Sequence, residues 1–296
     1  MNVPSVEEIE ALFKESDKKN KSFKTAIFNK LSDFIVNNTE AKVVYPEIMG
    51  DLTRGIAELI GTGSTARGTN LPNDADYDYI LRIDKQELLN NTDFVTRLKK
   101  YLNPTEIIPS KSNRFRGKAI HTISNYENID FDIDVTFTGK TNKMDYSTDM
   151  ALTERLNAIK EQHPDSYDKV RANIIMAKSL LKQAGVYKSS KSDPKQGGLG
   201  GVGIENWILQ NNGSLEQAID EFLEAAQNEN GELFPFEEFK KKYHIWDFGA
   251  NHDPYIPGYP YDDFVEFNMT EKGYEKMCNV LIKYKNELNK SNNRNK

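Results

Sequence analysis

Residues Gly63 to Leu81 read GSTARGTNLPNDADYDYIL, a Gly-Ser turn followed by an Asp-x-Asp pair among strand-forming residues. Successive side chains of a strand alternate between its two faces, so Asp76 and Asp78 are expected on one face, roughly 6–7 Å apart. Two carboxylates that close repel each other, and a bound divalent cation relieves the repulsion. The segment therefore predicts a strand with a metal-binding face, reached from a turn that can approach a ligand closely.

A second acidic strand is predicted from Asp130 to Val135, which reads DFDIDV. Its aspartates share one face and its apolar residues share the other, which should belong to the core. A third carboxylate allows two ions to sit roughly 3.5–4 Å apart, one activating the attacking hydroxyl and the other binding the triphosphate and its leaving group. We choose Asp134 as this ligand because it lies deepest in the apolar run, where a strand holds a ligand rigidly, and Asp132 is the alternative. The predicted catalytic and metal-binding residues are thus Asp76, Asp78 and Asp134, and the predicted cofactor is a pair of Mg²⁺ ions, with Mn²⁺ as a substitute.

The Gly-Ser turn itself predicts nucleotide binding through phosphate groups. Gly63 lets the backbone approach a ligand closely, and Ser64 offers a hydroxyl and an amide. Arg67 adds a cation whose guanidinium can bind phosphate oxygens with two parallel hydrogen bonds. An ordinary turn between a strand and a helix is the alternative, and the Asp pair that follows the turn favours the nucleotide-binding interpretation.

Together these residues resemble the signature of the DNA polymerase beta nucleotidyltransferase superfamily, which consists of Gly-Ser, a short gap, Asp-x-Asp and a distant Asp. The Ser-x-x-Arg-Gly-Thr form from Ser64 to Thr69 is similar to the branch that contains archaeal CCA-adding enzymes, oligoadenylate synthetases and bacterial cyclic-oligonucleotide synthases. The resemblance implies a transferase that binds ATP or another nucleoside triphosphate and releases pyrophosphate.

A second resemblance lies in KSLLKQAGVY, from Lys178 to Tyr187. In archaeal CCA-adding enzymes a lysine on a helix and a tyrosine further along contact the incoming triphosphate, and the resemblance implies the same nucleotide-binding role for these two residues. A surface lysine and a core tyrosine are the alternative interpretation. The chain departs from that family after Asp149, where no histidine follows closely, and shows nothing similar to the domains with which those enzymes grip tRNA. These departures favour an acceptor other than tRNA.

The composition indicates a globular protein of the reducing cytoplasm. With 296 residues, of which 38% are hydrophobic and 28% charged, the chain can bury a sizeable core. No apolar run approaches the length of a membrane span, and no signal-peptide pattern is seen, so no membrane partner is expected. The single cysteine, Cys278, excludes an intramolecular disulfide. A net charge of −6 argues against a dedicated duplex or tRNA binder, because such proteins are usually basic.

The order of predicted elements favours an α+β fold, with a small mixed-sheet palm domain and a C-terminal helical domain. The nucleotidyltransferase catalytic domain is predicted over 1–145, a helical nucleotide- and acceptor-binding domain over 146–290 and a disordered tail over 291–296. Nucleotides are expected in the cleft between the domains, and the Gly-rich segment 197–203 is predicted to be a flexible loop. Strands are predicted near 56–61, 77–83, 118–124 and 129–137, and helices near 21–37, 147–160, 165–184, 203–211, 214–227 and 270–288, with helix caps at Ser214 and Thr270.

A basic cluster precedes the second acidic strand, and it allows two interpretations. Lys111, Arg114, Arg116 and Lys118 follow one another closely in a chain of negative net charge. They are suited to steering a triphosphate or an acceptor strand, because like charges gathered in one place attract polyanions. A solvated edge strand is the alternative.

Four functional hypotheses follow from these patterns. The lead hypothesis is a metal-dependent, template-independent nucleotidyltransferase that joins NTPs or dNTPs into short linear or cyclic oligomers; the resemblance implies a role in bacterial signalling or antiphage defence, with a downstream effector protein. The first alternative adds nucleotides to an RNA or tRNA 3′ end, using a nucleic-acid primer. The second nucleotidylates a protein hydroxyl. Tyr255, Tyr259 and Tyr261 are expected to pack against the helical domain, and the alternative is that one of their hydroxyls serves as acceptor or primer. The third is a non-catalytic nucleotide sensor, which the presence of three aspartates argues against.

Overall fold

The computed structural model divides the chain into two compact units. One spans Ala11–Tyr146, and the other spans Met1–Glu10 together with Ser147–Lys296. Lys111, Arg114 and the three tyrosines between 255 and 261 lie outside the residues that the structure describes. The described residues are 29, 31–38, 42–44, 56–71, 76–82, 97, 101, 115–123, 129–138, 148–188, 193–245 and 269–294.

The first unit contains a five-stranded sheet. Its strands are β1 (Lys42–Val44), β2 (Ile56–Thr62), β3 (Asp76–Arg82), β4 (Phe115–Ile123) and β5 (Ile129–Thr138). Their spatial order is β1-β2-β3-β5-β4. β1 is parallel to β2 and β3 is parallel to β5, whereas β2–β3 and β5–β4 are antiparallel. Because β5 lies between β3 and β4, the two acidic strands are neighbours.

Helices α1 and α2 belong to the same unit. α1 covers 31–38 and buries Leu31, Phe34 and Ile35, which are on the apolar face expected from the sequence. α2 (Gly63–Arg67) follows β2 directly, where the sequence predicted a turn. Gly63 has a φ angle of +72°, a backbone conformation that favours glycine. A short helix can therefore begin immediately at the end of the strand.

The second unit packs its helices around an aromatic core. Phe222 lies within it, with ring-centroid distances of 4.8 Å to Phe239, 5.4 Å to Tyr243 and 5.9 Å to Trp207. Tilted and edge-to-face ring pairs of this kind stabilise a core beyond the apolar area that they bury. Among the helices that the structure describes, none is long and apolar enough to cross a membrane. The helices of this unit are α3 (Thr148–Gln162), α4 (Pro164–Gln183), α5 (Gly201–Gln210), α6 (Leu215–Ala226), α7 (Phe236–Lys242) and α8 (Glu271–Arg294).

Two helix caps that the sequence predicted are present. The Ser214 hydroxyl accepts a hydrogen bond from the Gln217 N–H at 3.2 Å, at the start of α6. The Thr270 hydroxyl accepts one from the Gly273 N–H at 3.0 Å, at the start of α8. Each cap satisfies an N–H that has no partner within its helix, so a side chain visible in the local sequence marks the start of each helix.

The Gly-rich segment 197–203 was predicted to be a flexible loop before a helix; it is a loop over 197–200, and α5 follows at Gly201, but the segment is packed in the structure. Gly197 is buried, and its carbonyl accepts hydrogen bonds from the Thr270 N–H at 2.7 Å and the Thr270 hydroxyl at 3.1 Å. A Cβ atom added to Gly273 would lie 2.0 Å from the same carbonyl oxygen. The glycines therefore serve a close backbone approach between this segment and the start of α8.

Helix α8 is longer than the sequence suggested. It was expected to end near 288, and 291–296 was expected to be a disordered tail, yet the helix continues to Arg294. Between Gly273 and the end of the chain there is neither a glycine nor a proline to interrupt it. The composition of the segment predicted a disordered tail, whereas in the structure its residues up to Arg294 continue the helix.

The thiol of Cys278 offers a test of burial in α8. The residue is 0% exposed, and burial raises the pKa of its thiol to about 12. Because the thiolate is the reactive form, we expect iodoacetamide to alkylate the native protein at about pH 8 at least about a hundredfold more slowly than the protein unfolded in guanidinium chloride. Mass spectrometry of timed samples measures both rates. Equal rates in the native and unfolded protein would contradict the buried position.

Candidate active site

The sheet places the predicted carboxylates at adjacent register positions. β3 and β5 are parallel, and Asp78 pairs with Asp134 while Asp76 pairs with Asp132. Neighbouring strands lie about 4.8 Å apart, and residues paired in this way occupy the same face of a sheet. The three positions predicted as metal ligands therefore share one face of two neighbouring strands, as does the alternative third ligand.

The predicted phosphate-binding turn lies at the end of β2, beside this carboxylate pair. Thr62, the last residue of β2, pairs with Asp78, and Gly63 and Ser64 follow it directly. The Ser64 carbonyl accepts a hydrogen bond from the Thr69 N–H at 2.9 Å, which closes the segment around α2. Ser64 is half-buried. The chain thus brings the Gly-Ser pair next to the aspartates through a strand pairing and a short, closed helix.

Arg67 lies in the last turn of α2 and is buried, with 3% of its surface exposed. A guanidinium keeps its charge inside a protein, because it cannot be deprotonated there. Arg67 therefore keeps a permanent positive charge while it is buried, in the same short helix that begins with Gly63 and Ser64. A contact between Arg67 and a phosphate remains a prediction.

Lys178, predicted to bind the nucleotide, is buried within the second unit. It lies on α4 with 1% of its side chain exposed, and its Nζ is 2.5 Å from Oε1 of Glu205, which is 0% exposed. Both charged groups are buried away from water. Their mutual attraction and their hydrogen bond offset part of the free-energy cost of desolvating them. The surface lysine of the alternative interpretation is not what the structure shows. A contact with a triphosphate stays a prediction.

Tyr187 approaches the same place from the segment after α4. A Cβ atom added to Gly201, the first residue of α5, would lie 3.0 Å from the Tyr187 hydroxyl and 3.8 Å from Nζ of Lys178. Tyr187 is half-buried. The absence of a side chain at Gly201 therefore lets the lysine, the tyrosine and the start of α5 come together.

Glu205 is the residue of this cluster that the sequence analysis missed. It sits in α5, which reads GVGIENWILQ and is apolar over most of its length. A single charged residue in such a helix needs a partner, because burying an unpaired charge is very costly. This pattern was visible in the sequence, but it does not identify the partner, which is 27 residues away along the chain.

Comparison with known proteins gives matches to solved structures only. No protein family defined by sequence matches the chain, and no curated protein does. A structure of the Cid1 poly(U) polymerase, a histidine-to-asparagine mutant bound to MgATP, is similar over 94% of this chain and 92% of its own, at 13% identity and a TM-score of 0.59. The MgGTP-bound structure of the same polymerase is similar over 96% and 94%, at 14% identity and a TM-score of 0.58.

These similarities show that the chain has a nucleotidyltransferase fold. This fold is the one that the Gly-Ser and Asp-x-Asp motifs predicted. The closer likeness to archaeal CCA-adding enzymes and oligoadenylate synthetases stays a prediction. The similar structures give no support to a role in bacterial signalling or antiphage defence.

Proposed function

We propose that this chain is a metal-dependent nucleotidyltransferase that adds nucleotides to the 3′ end of RNA without a template and releases pyrophosphate. The observation that carries the proposal is the register pairing of Asp78 with Asp134, beside the Gly-Ser turn, in a fold shared with a poly(U) polymerase. Transfer from a triphosphate needs positioned groups and neutralised charge more than covalent help from the protein. A row of carboxylates that binds divalent cations, next to a phosphate-binding turn, would supply both.

The donor set suits Mg²⁺, because carboxylate oxygens are the ligands that hard divalent cations prefer. In the proposal Asp76 and Asp78 hold both ions, and Asp134 completes the site of one of them. When bound, the ions lower the pKa of the attacking hydroxyl and neutralise charge on the triphosphate. The similar structures bound to MgATP and MgGTP support magnesium as the cofactor.

The chain's own residues supply positioning. In the proposal Gly63 and Ser64 bind the triphosphate through backbone amides and the serine hydroxyl. The positive φ angle of Gly63 lets the chain pass directly from β2 into α2 at this point. Asp134 orients the 3′-hydroxyl of the acceptor for attack on the α-phosphate. Lys178 and Tyr187 remain proposed nucleotide-binding residues on the resemblance alone.

We prefer the addition of nucleotides to RNA over the formation of free oligomers, which was the lead hypothesis. Two structures that match over nearly the whole chain are those of a poly(U) polymerase. Nucleotidylation of a protein and nucleotide sensing without catalysis have no comparable support.

The test incubates the purified protein with Mg²⁺, each labelled triphosphate in turn, and a short single-stranded RNA. One RNA carries a free 3′-hydroxyl, and the matched control ends in a 3′-deoxynucleotide. We expect ladders of extended RNA, resolved on a denaturing gel, with the free 3′-hydroxyl only. Oligomers formed without RNA would restore the lead hypothesis, label on a polypeptide would favour protein nucleotidylation, and binding without pyrophosphate release would favour a sensor.

A further inference from the structure

One row of paired residues crosses four strands of the sheet and continues beyond the carboxylates to a cation. Thr62 on β2 pairs with Asp78 on β3, and Asp78 pairs with Asp134 on β5. Asp134 in turn pairs with Lys118 on β4. Paired residues occupy the same face of a sheet, so the row reads, from β2 to β4: Thr62, Asp78, Asp134 and Lys118.

A second cation shares this face of β4. Arg116 lies two residues before Lys118 and pairs with Thr136. Because alternate residues of a strand share a face, both cations lie on the face of the sheet that carries the aspartates. The chain as a whole has a net charge of −6, so two cations beside the proposed acidic site are not explained by a generally basic surface.

The order of residues in this row indicates that the triphosphate and the RNA acceptor bind on opposite sides of the proposed metal site. In an in-line displacement the attacking oxygen and the leaving pyrophosphate lie on opposite sides of the α-phosphorus. In the proposed site the triphosphate lies toward Gly63 and Ser64, at the end of β2. The acceptor therefore comes from the other side of the row, across β5 and β4, where Lys118 is the next position beyond Asp134.

We propose that Lys118, together with Arg116, binds backbone phosphates near the 3′ end of a single-stranded RNA acceptor and so brings its terminal hydroxyl to Asp134. The inference rests on the proposed function and adds the location of the acceptor to it. Lysine and arginine bind phosphates without regard to base, which suits an enzyme whose acceptor end changes with each addition. Both residues hold the acceptor and take no part in the chemical step.

A different explanation is available for cations on β4, and the test separates the two. β4 is the last strand in the order of the sheet, and charged residues on edge strands, especially lysine, prevent pairing with other chains. In that case substitution of Lys118 would promote aggregation and leave the kinetics of the soluble enzyme unchanged.

The experiment measures transfer at saturating triphosphate while the RNA and salt concentrations are varied. Lys118→Ala is expected to raise the KM for RNA about five- to tenfold, because it removes a charge-assisted hydrogen bond. The double variant that combines Arg116→Ala with Lys118→Ala is expected to raise this KM about thirtyfold or more. The plot of log KM against log salt should become shallower by about 0.7 for each phosphate that the variant no longer binds. The KM for the triphosphate should stay unchanged, and Lys118→Arg should restore most of the affinity for RNA.

Lys285→Ala is the matched control, since it removes one positive charge in the other unit. Its side chain is 43% exposed and pairs with Asp220 on the surface, so no effect on the KM for RNA is expected.

If wild type extends no RNA, the proposed function fails. If wild type extends RNA while Lys118→Ala has a normal KM and salt slope, or raises the KM for the triphosphate instead, only the acceptor inference is overturned. Anisotropy of a labelled 3′-deoxy RNA gives the same comparison without turnover, and Lys118→Gln replaces any variant that does not fold.

Discussion

Asp78→Ala is expected to lower kcat/KM for nucleotide addition by at least about a thousandfold while the protein remains folded. The magnitude follows from the position of Asp78, which pairs with Asp134 on one side and with Thr62, next to the Gly-Ser turn, on the other. Loss of residues that merely support a metal ligand costs about 10- to 100-fold, so removal of a ligand shared by two ions should cost more. Asp76→Ala is expected to behave in the same way. Extension of labelled RNA in the presence of Mg²⁺ measures the loss.

The matched control for this prediction is Asp130→Ala. Asp130 belongs to the same acidic strand but pairs with Thr122 on β4, whereas the pairing with β3 begins at Asp132. We expect this variant to stay within about threefold of wild type, because it keeps every proposed metal ligand. Comparison of Asp134→Ala with Asp132→Ala identifies the third ligand. Wild-type activity of Asp78→Ala would reject the assignment of the site.

Glu205→Ala is expected to destabilise the helical unit by about 3–5 kcal/mol, because it leaves the buried Lys178 ammonium without its carboxylate partner. Both side chains are almost completely excluded from water, and 2.5 Å separates Nζ from Oε1. Removal of one member of such a pair costs far more than the pair contributes as a whole. Urea unfolding followed by circular dichroism measures the free energy of unfolding.

Two comparisons make this second prediction specific. Replacing both residues with methionine removes both charges, and the free energy of unfolding should recover to within about 1–2 kcal/mol of wild type. Asp220→Ala breaks an exposed ion pair, in which the side chain of Asp220 is 49% exposed and that of Lys285 is 43% exposed. This variant should lower the free energy of unfolding by no more than about 1 kcal/mol. A Glu205→Ala variant as stable as Asp220→Ala would contradict the buried pair.

The sequence was most informative where local pattern and chemistry coincide. Alternation of aspartate with apolar residues predicted β3 and β5 nearly to their ends, and the side chains of Ser214 and Thr270 predicted two helix starts. The shared metal site predicted that the two acidic strands lie close together, but their parallel direction and their register could not be predicted, because these depend on how the chain between them returns to the sheet. Local periodicity identifies a strand and its faces, but it does not identify the neighbouring strand.

The features that were missed depend on contacts between distant segments. The Gly-rich segment looked flexible because glycine favours loops, yet Gly197 is buried against the start of α8 and bonded to Thr270. Lys178 looked like a residue facing solvent or a ligand, and its partner Glu205 lies in another helix. A single sequence contains the residues of such contacts without showing which of them meet.

The most direct test of the proposed active site is the location of bound manganese. Crystals grown with Mn²⁺ and a non-hydrolysable triphosphate give anomalous difference maps in which the ions are identified independently of the protein atoms. We predict peaks on the face of β3 and β5 that carries Asp76, Asp78 and Asp134, with the phosphates next to Gly63 and Ser64. A triphosphate and ions bound elsewhere in the protein, with no peak beside Asp78, would contradict this assignment.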